Sequence, residues 1–120
     1  MRFYCSDDTV DLEQYPYHVR DVHISDPFIL ADPKSRCYYT YVQFADTKRF
    51  PDVETDKEHG VFYVLESKDL IHWSKPQICF RQNNFWADKD YWAPEVHIWK
   101  GRYYLFSSFR ADGHTANVSA

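Results

Sequence analysis

Asp26 stands directly before Pro27 at the head of a short apolar run, and Glu95 stands directly after Pro94 at the head of a second one. Carboxyl groups presented this way suit general acid–base work. Hydrolysis of a glycosidic bond with inversion needs one carboxylate to activate water and one protonated carboxyl to release the leaving oxygen, roughly 6.5–9.5 Å apart. Trp92 offers a flat apolar wall of the kind that packs on the C–H face of a sugar, and Glu95 could bond sugar hydroxyls or act as an acid. Each residue also has a plainer reading. Asp-Pro is a common turn at the start of a strand, and Asp32-Pro33 illustrates it as turn chemistry and nothing more. Glu95 equally suits a solvated or salt-bridged strand position, and His97, Trp99 and Trp73 read as structural. None of the six histidines has metal-ligand spacing such as H-E-x-x-H, and G-x-S-x-G, phosphate-loop and dinucleotide motifs are absent.

The elements that must position these groups read as strands. The stretch 1–22 is polar, broken by Pro16 and without a sustained period, so it reads as an irregular strap. Residues 24–31 form an apolar run stopped by Asp32-Pro33-Lys34-Ser35, and 37–44 is dense in strand formers, which predicts an antiparallel hairpin. Pro27 should hold Asp26 extended. A charged loop over 46–59 leads to strands at 60–67 and around 77–80, with Ile71-His72-Trp73-Ser74 between them. The pattern then restarts at Trp92-Ala93-Pro94, with a Lys100-Gly101 turn and a strand over 102–109. No amphipathic helix is evident.

Pro27 and Tyr38-Tyr39 thus recur as Pro94 and Tyr103-Tyr104, an offset of about 65 residues that exceeds the ~40–50 of WD40 and kelch blades. This predicts β-propeller blades with long inter-strand loops. The boundaries are a leading segment over 1–23, a first blade over 24–81 and an incomplete second blade over 91–120, whose tail holds at most one more strand. Two unrelated hairpins of similar composition are the alternative.

Composition agrees with an all-β chain: ten Tyr, nine Phe and four Trp in 120 residues, 19% aromatic in all, beside only three Gly. Most of these rings are expected in the core. A net charge of −4 provides no basic field for nucleic acid. No apolar run approaches the ~20 residues of a transmembrane helix, and Met1–Asp8 lacks the apolar stretch of a signal peptide. As written the chain reads as cytoplasmic, an expectation that a shortened start would turn towards secretion. Cys5, Cys37 and Cys79 fit neither a zinc knuckle nor a disulfide framework and read as packed free thiols.

Taken together, His23-Ile24-Ser25-Asp26-Pro27-Phe28 with Tyr38-Tyr39, then Glu66-Ser67-Lys68-Asp69-Leu70-Ile71-His72-Trp73, then Asp90-Tyr91-Trp92-Ala93-Pro94-Glu95 with Gly101-Arg102-Tyr103-Tyr104 resemble the opening of glycoside hydrolase family 43. The resemblance implies the first part of a five-bladed propeller that acts by inversion on arabinose- or xylose-containing glycans, sometimes galactans. It assigns Asp26 as general base and places Trp92 and Ala93 along the sugar subsite, with Phe44 the nearest candidate for a further aromatic at the pocket. Glu95 belongs to the motif, as a substrate contact rather than the family's general acid. Ser25 departs from the Arg that many relatives carry there. The family's general acid and pKa-modulating aspartate lie in later blades, so the chain is expected to be catalytically incomplete alone. Its expected partner is an oligo- or polysaccharide, with no nucleic acid and no membrane, and with self-association through an exposed blade face. No cofactor is expected, and nothing in this segment supports a calcium ion of the complete propeller. A non-catalytic carbohydrate-binding module using the same aromatic pocket is the competing function.

Overall fold

A computed structural model describes residues 10–24, 26–43, 61–81, 85–87, 89–113 and 118–119, with the side chains of 89, 90, 118 and 119 excepted. Cys5, Ser25, Phe44 and the loop over 46–59 lie outside the described residues. The described chain is all-β apart from one 3₁₀ turn, Val19–Asp21. Its strands are β1 (Tyr17–His18), β2 (Phe28–Asp32), β3 (Cys37–Val42), β4 (Val61–Ser67), β5 (His72–Trp73), β6 (Gln77–Arg81), β7 (Lys89–Trp99), β8 (Arg102–Arg110) and β9 (Val118–Ser119). They form two antiparallel sheets, one ordered β1-β5-β4-β3-β2 with β6 also against β4, the other β7-β8-β9. The first sheet holds the expected meander from β2 to β6, and the second repeats its opening. This is an incomplete propeller: one blade and most of another.

Turn chemistry sets the hairpins. Lys100 and Gly101 both take positive φ, 49° and 73°, as the two-residue turn whose twist matches the flanking strands requires. Between β2 and β3, Arg36 is left-handed (φ 59°) and donates its N–H to the Asp32 carbonyl at 2.9 Å. Asp32 does more than start that turn. Only 2% exposed, its carboxylate accepts from Lys34 N–H at 2.9 Å, Ser35 Oγ at 3.1 Å and, across to the second sheet, the Tyr103 hydroxyl at 2.7 Å. Sequence reading missed this tie because the two residues lie 71 positions apart.

The leading segment is not merely irregular. Tyr17 and His18 pair with Trp73 and His72, adding β1 to the outer edge of the first sheet. Tyr17, Val22 and Ile24 pack against the buried cluster of Tyr38, Val42, Val61, Tyr63, Leu65 and Trp73. The segment therefore covers one face of the blade. β4 contributes Val61, Tyr63 and Leu65 to that cluster, while the alternation of a strand sends Phe62 to the other side. There Phe62 meets Tyr91 and Phe109 of the second sheet, with ring centroids 5.5 and 6.1 Å away, and Phe80 at 5.9 Å. Trp73 is structural as expected. Trp99, by contrast, is 59% exposed, its ring in edge-to-face contact with Tyr104 and covered by the Lys100 ammonium at 4.4 Å. Cys37 is a buried thiol, whereas Cys79 is exposed rather than packed.

The turn from β4 to β5 is built on Asp69. Its carboxylate accepts from the N–H groups of Ile71 and His72, both at 2.8 Å, and from Ser67 Oγ, and lies 2.7 Å from His72 Nδ1. Burial alone would raise the Asp69 carboxyl, but the bonds from His72 and Ile71 outweigh it and hold the group below its ordinary value. Asp32 behaves alike: burial opposes the charge, and the bonds from Tyr103, Lys34 and Ser35 prevail.

Two outcomes follow. Phe62→Ala, which empties the junction of the sheets, should cost about 3–5 kcal/mol in denaturant unfolding. Because both carboxyls titrate lower in the folded chain than in the unfolded one, the unfolded state binds more protons as pH falls below ~3.9. Stability should thus be intact above that value and fall below it, and Asp69→Asn should flatten this acid limb of the unfolding midpoint.

Candidate functional site

Asp26 is an exposed bend residue one position before Pro27. Its φ of 47° is left-handed, so Pro27 does not hold it extended. Aspartate tolerates this conformation better than most residues because its short polar side chain can bond locally. Ala93 takes the same φ, 47°, one position before Pro94. Alanine has no such aid, and a non-glycine residue held there costs on the order of 1–3 kcal/mol, so its surroundings must impose the shape. The two blade heads are thus equivalent in backbone as well as in sequence.

The surroundings of Ala93 are visible. The β7–β8 ladder runs from Trp99↔Arg102 to Glu95↔Phe106, then shifts register between Glu95 and Trp92 and again before Lys89. Side chains serve the backbone in this stretch. The buried Ser107 hydroxyl donates to the Trp92 carbonyl. The Ala93 N–H donates to Gln43 Oε1 at 3.1 Å, bridging the two sheets. Pro94, within the irregular stretch of β7, is fully buried, whereas Trp92 is left 41% exposed.

Register brings Asp26 to the same place. The last β2–β3 pair is Phe28↔Tyr41, so Asp26, two residues before it, and Gln43, two residues after it, lie at the same end of that strand pair. Asp26, Gln43, Trp92 and Ala93 therefore share one end of the adjacent sheets. Glu95 is exposed, its carboxylate 3.6 Å from His97 Nε2, and the His97 ring lies 5.3 Å from Phe28 and 5.9 Å from Phe106. An open cavity of about 270 Å³ elsewhere, lined by Glu13, Tyr39, Glu66 and Lys75 among others, includes none of the Asp26-end residues. Among the described residues, no group of three His, Cys, Asp or Glu side chains is arranged to hold a metal ion.

Gln43 and Ser107 escaped the sequence reading. Their signals were faint: Gln43 is a polar residue closing a run of strand formers, and Ser107 interrupts an aromatic strand.

This all-β, two-blade arrangement with a carboxylate and an exposed indole at one end is the opening of a propeller hydrolase fold. The family model for glycosyl hydrolases family 43 matches residues 18–119, and the chain belongs to that family. Among solved structures, an endo-arabinase from Bacteroides thetaiotaomicron VPI-5482 superposes with a TM-score of 0.69 at 30% identity. The match covers 88% of this chain and 32% of the arabinase chain. No curated protein matches.

Proposed function

We propose that this chain forms the base-bearing end of an inverting glycosidase acting on arabinan-type glycans. The observation that carries the reading is that Asp26 and Trp92, both exposed, stand at corresponding ends of two neighbouring sheets. Family membership and the likeness to an endo-arabinase support the substrate class. In this reading Asp26 takes a proton from the attacking water, while Trp92 and Ala93 wall the sugar, with Phe44 as a further aromatic. Glu95, beside His97, serves substrate hydroxyls rather than the leaving group.

Inversion requires two carboxyl groups in opposite protonation states, and Asp26 cannot fill both roles. In this reading the acid and the aspartate that tunes it come from parts of the propeller that the match to 32% of the arabinase chain does not span. Sugar binding then survives where turnover does not. Calorimetry with arabinotriose should detect binding that Trp92→Ala abolishes, and the chain should not hydrolyse aryl arabinosides or xylosides. A clear rate that disappears in Asp26→Ala would overturn the incompleteness.

Partnering extends the same proposal. On β7 and β8 the residues Trp99, Tyr104 and Phe106 leave large apolar surface exposed, which favours association with a second copy. Light scattering should report a mass above that of the monomer; a stable monomer that unfolds cooperatively would count against it.

A further inference from the structure

We infer that Gln43 is a positioning residue for the sugar wall, acting through the single peptide group that joins Trp92 to Ala93; this rests on the role proposed for Trp92. The Trp92 carbonyl and the Ala93 N–H belong to one planar unit and point in opposite directions when the peptide is trans. Ser107 donates to one end of that unit and Gln43 accepts from the other. Gripped at both ends, the plane cannot rotate. Its rotation is what sets φ at Ala93 and ψ at Trp92, so the grip accounts for the left-handed Ala93 and fixes the backbone from which the indole projects.

The two gripping residues come from different places. Ser107 is buried within the second sheet, on the strand beside Trp92, and holds the peptide in its own blade. Gln43 directly follows β3 of the first sheet, at the end of the strand pair where Asp26 leads into β2. A bond from Gln43 therefore ties the placement of the Trp92 wall to the strand pair that carries the general base. Without the Gln43 acceptor, the Trp92–Ala93 peptide is free to turn and relieve the left-handed φ. The indole then moves relative to Asp26, although both side chains remain present. A glutamate at 43 keeps an acceptor oxygen at the same reach, while alanine removes it.

The test uses the full chain, labelled with ¹⁵N. Gln43→Ala should shift the Ala93 amide and Trp92 indole resonances and speed Ala93 amide exchange about tenfold, as expected for a lost hydrogen bond. The indole of Trp73, buried in the first sheet, should stay in place and report that the fold is intact. Gln43→Glu should restore the Ala93 exchange rate and the Trp92 resonance, and it keeps the question open to measurement if the alanine variant fails to fold. Arabinotriose affinity should drop about tenfold in Gln43→Ala, the loss of roughly one hydrogen bond's worth of orientation, and recover in Gln43→Glu. Unchanged Ala93 exchange in Gln43→Ala, or a glutamate variant that behaves like alanine, overturns the assignment. If the unaltered chain binds no arabinotriose, the sugar reading falls, and the exchange pattern alone still decides whether Gln43 positions Trp92.

Discussion

β4 must bury both of its faces, and the arrangement of everything else follows from that demand. An antiparallel strand with one solvated face alternates apolar and polar residues, but Val61, Phe62, Tyr63 and Leu65 are all buried. One face is covered by the leading segment through Tyr17, Val22 and Ile24, and the other by the second sheet through Tyr91 and Phe109. Phe62 is the point of contact with that second sheet, fully buried among three rings whose edge-to-face and tilted geometries each add about 0.5–1.5 kcal/mol beyond area. β1 fastens the leading segment to the sheet edge through its pairing with Trp73 and His72.

Ring packing holds the sheets together but is poorly directional; hydrogen bonds define how they sit. Two cross-sheet bonds lie at opposite ends of the hairpins. Asp32 and Tyr103 join the turn ends, and Gln43 and Ala93 join the ends that carry the candidate site. The first is charge-assisted and its aspartate is shielded from water, so it is the firmer of the two. The second is more exposed and acts on backbone held in an unfavourable conformation. The site end therefore owes its shape to a bond between side chain and backbone, set against strain, while the far end is fixed by a shielded carboxylate.

Much of this was legible in the sequence because its causes are local. Alternation and strand formers marked β2, β3, β4, β6 and β8 within a few residues of their ends, and Lys100-Gly101 announced its turn. The restart at Trp92-Ala93-Pro94 reported a repeated unit, and the matching left-handed residues at Asp26 and Ala93 show that the equivalence reaches the backbone. What stayed hidden depends on how distant elements meet. β1 has no periodicity to betray it, since two residues make a strand only when His72 and Trp73 lie alongside. Asp32 looked like a turn former because that half of its work is done by neighbours, and the other half by a phenol from another sheet. Pro27 argued for an extended Asp26, and the tertiary setting prevailed over that local preference.

The pair of cross-sheet bonds has a geometric consequence for any ring built on this pattern. A propeller closes only when the turn from each sheet to the next, repeated around the axis, completes a circle. One contact between neighbouring sheets leaves a pivot, whereas two contacts at opposite ends remove it and set the angular step. Asp32–Tyr103 and Gln43–Ala93 are such a pair. An error in that first step would be carried into the closure of the whole circle, so the bond at the candidate-site end bears on whether the ring can meet itself.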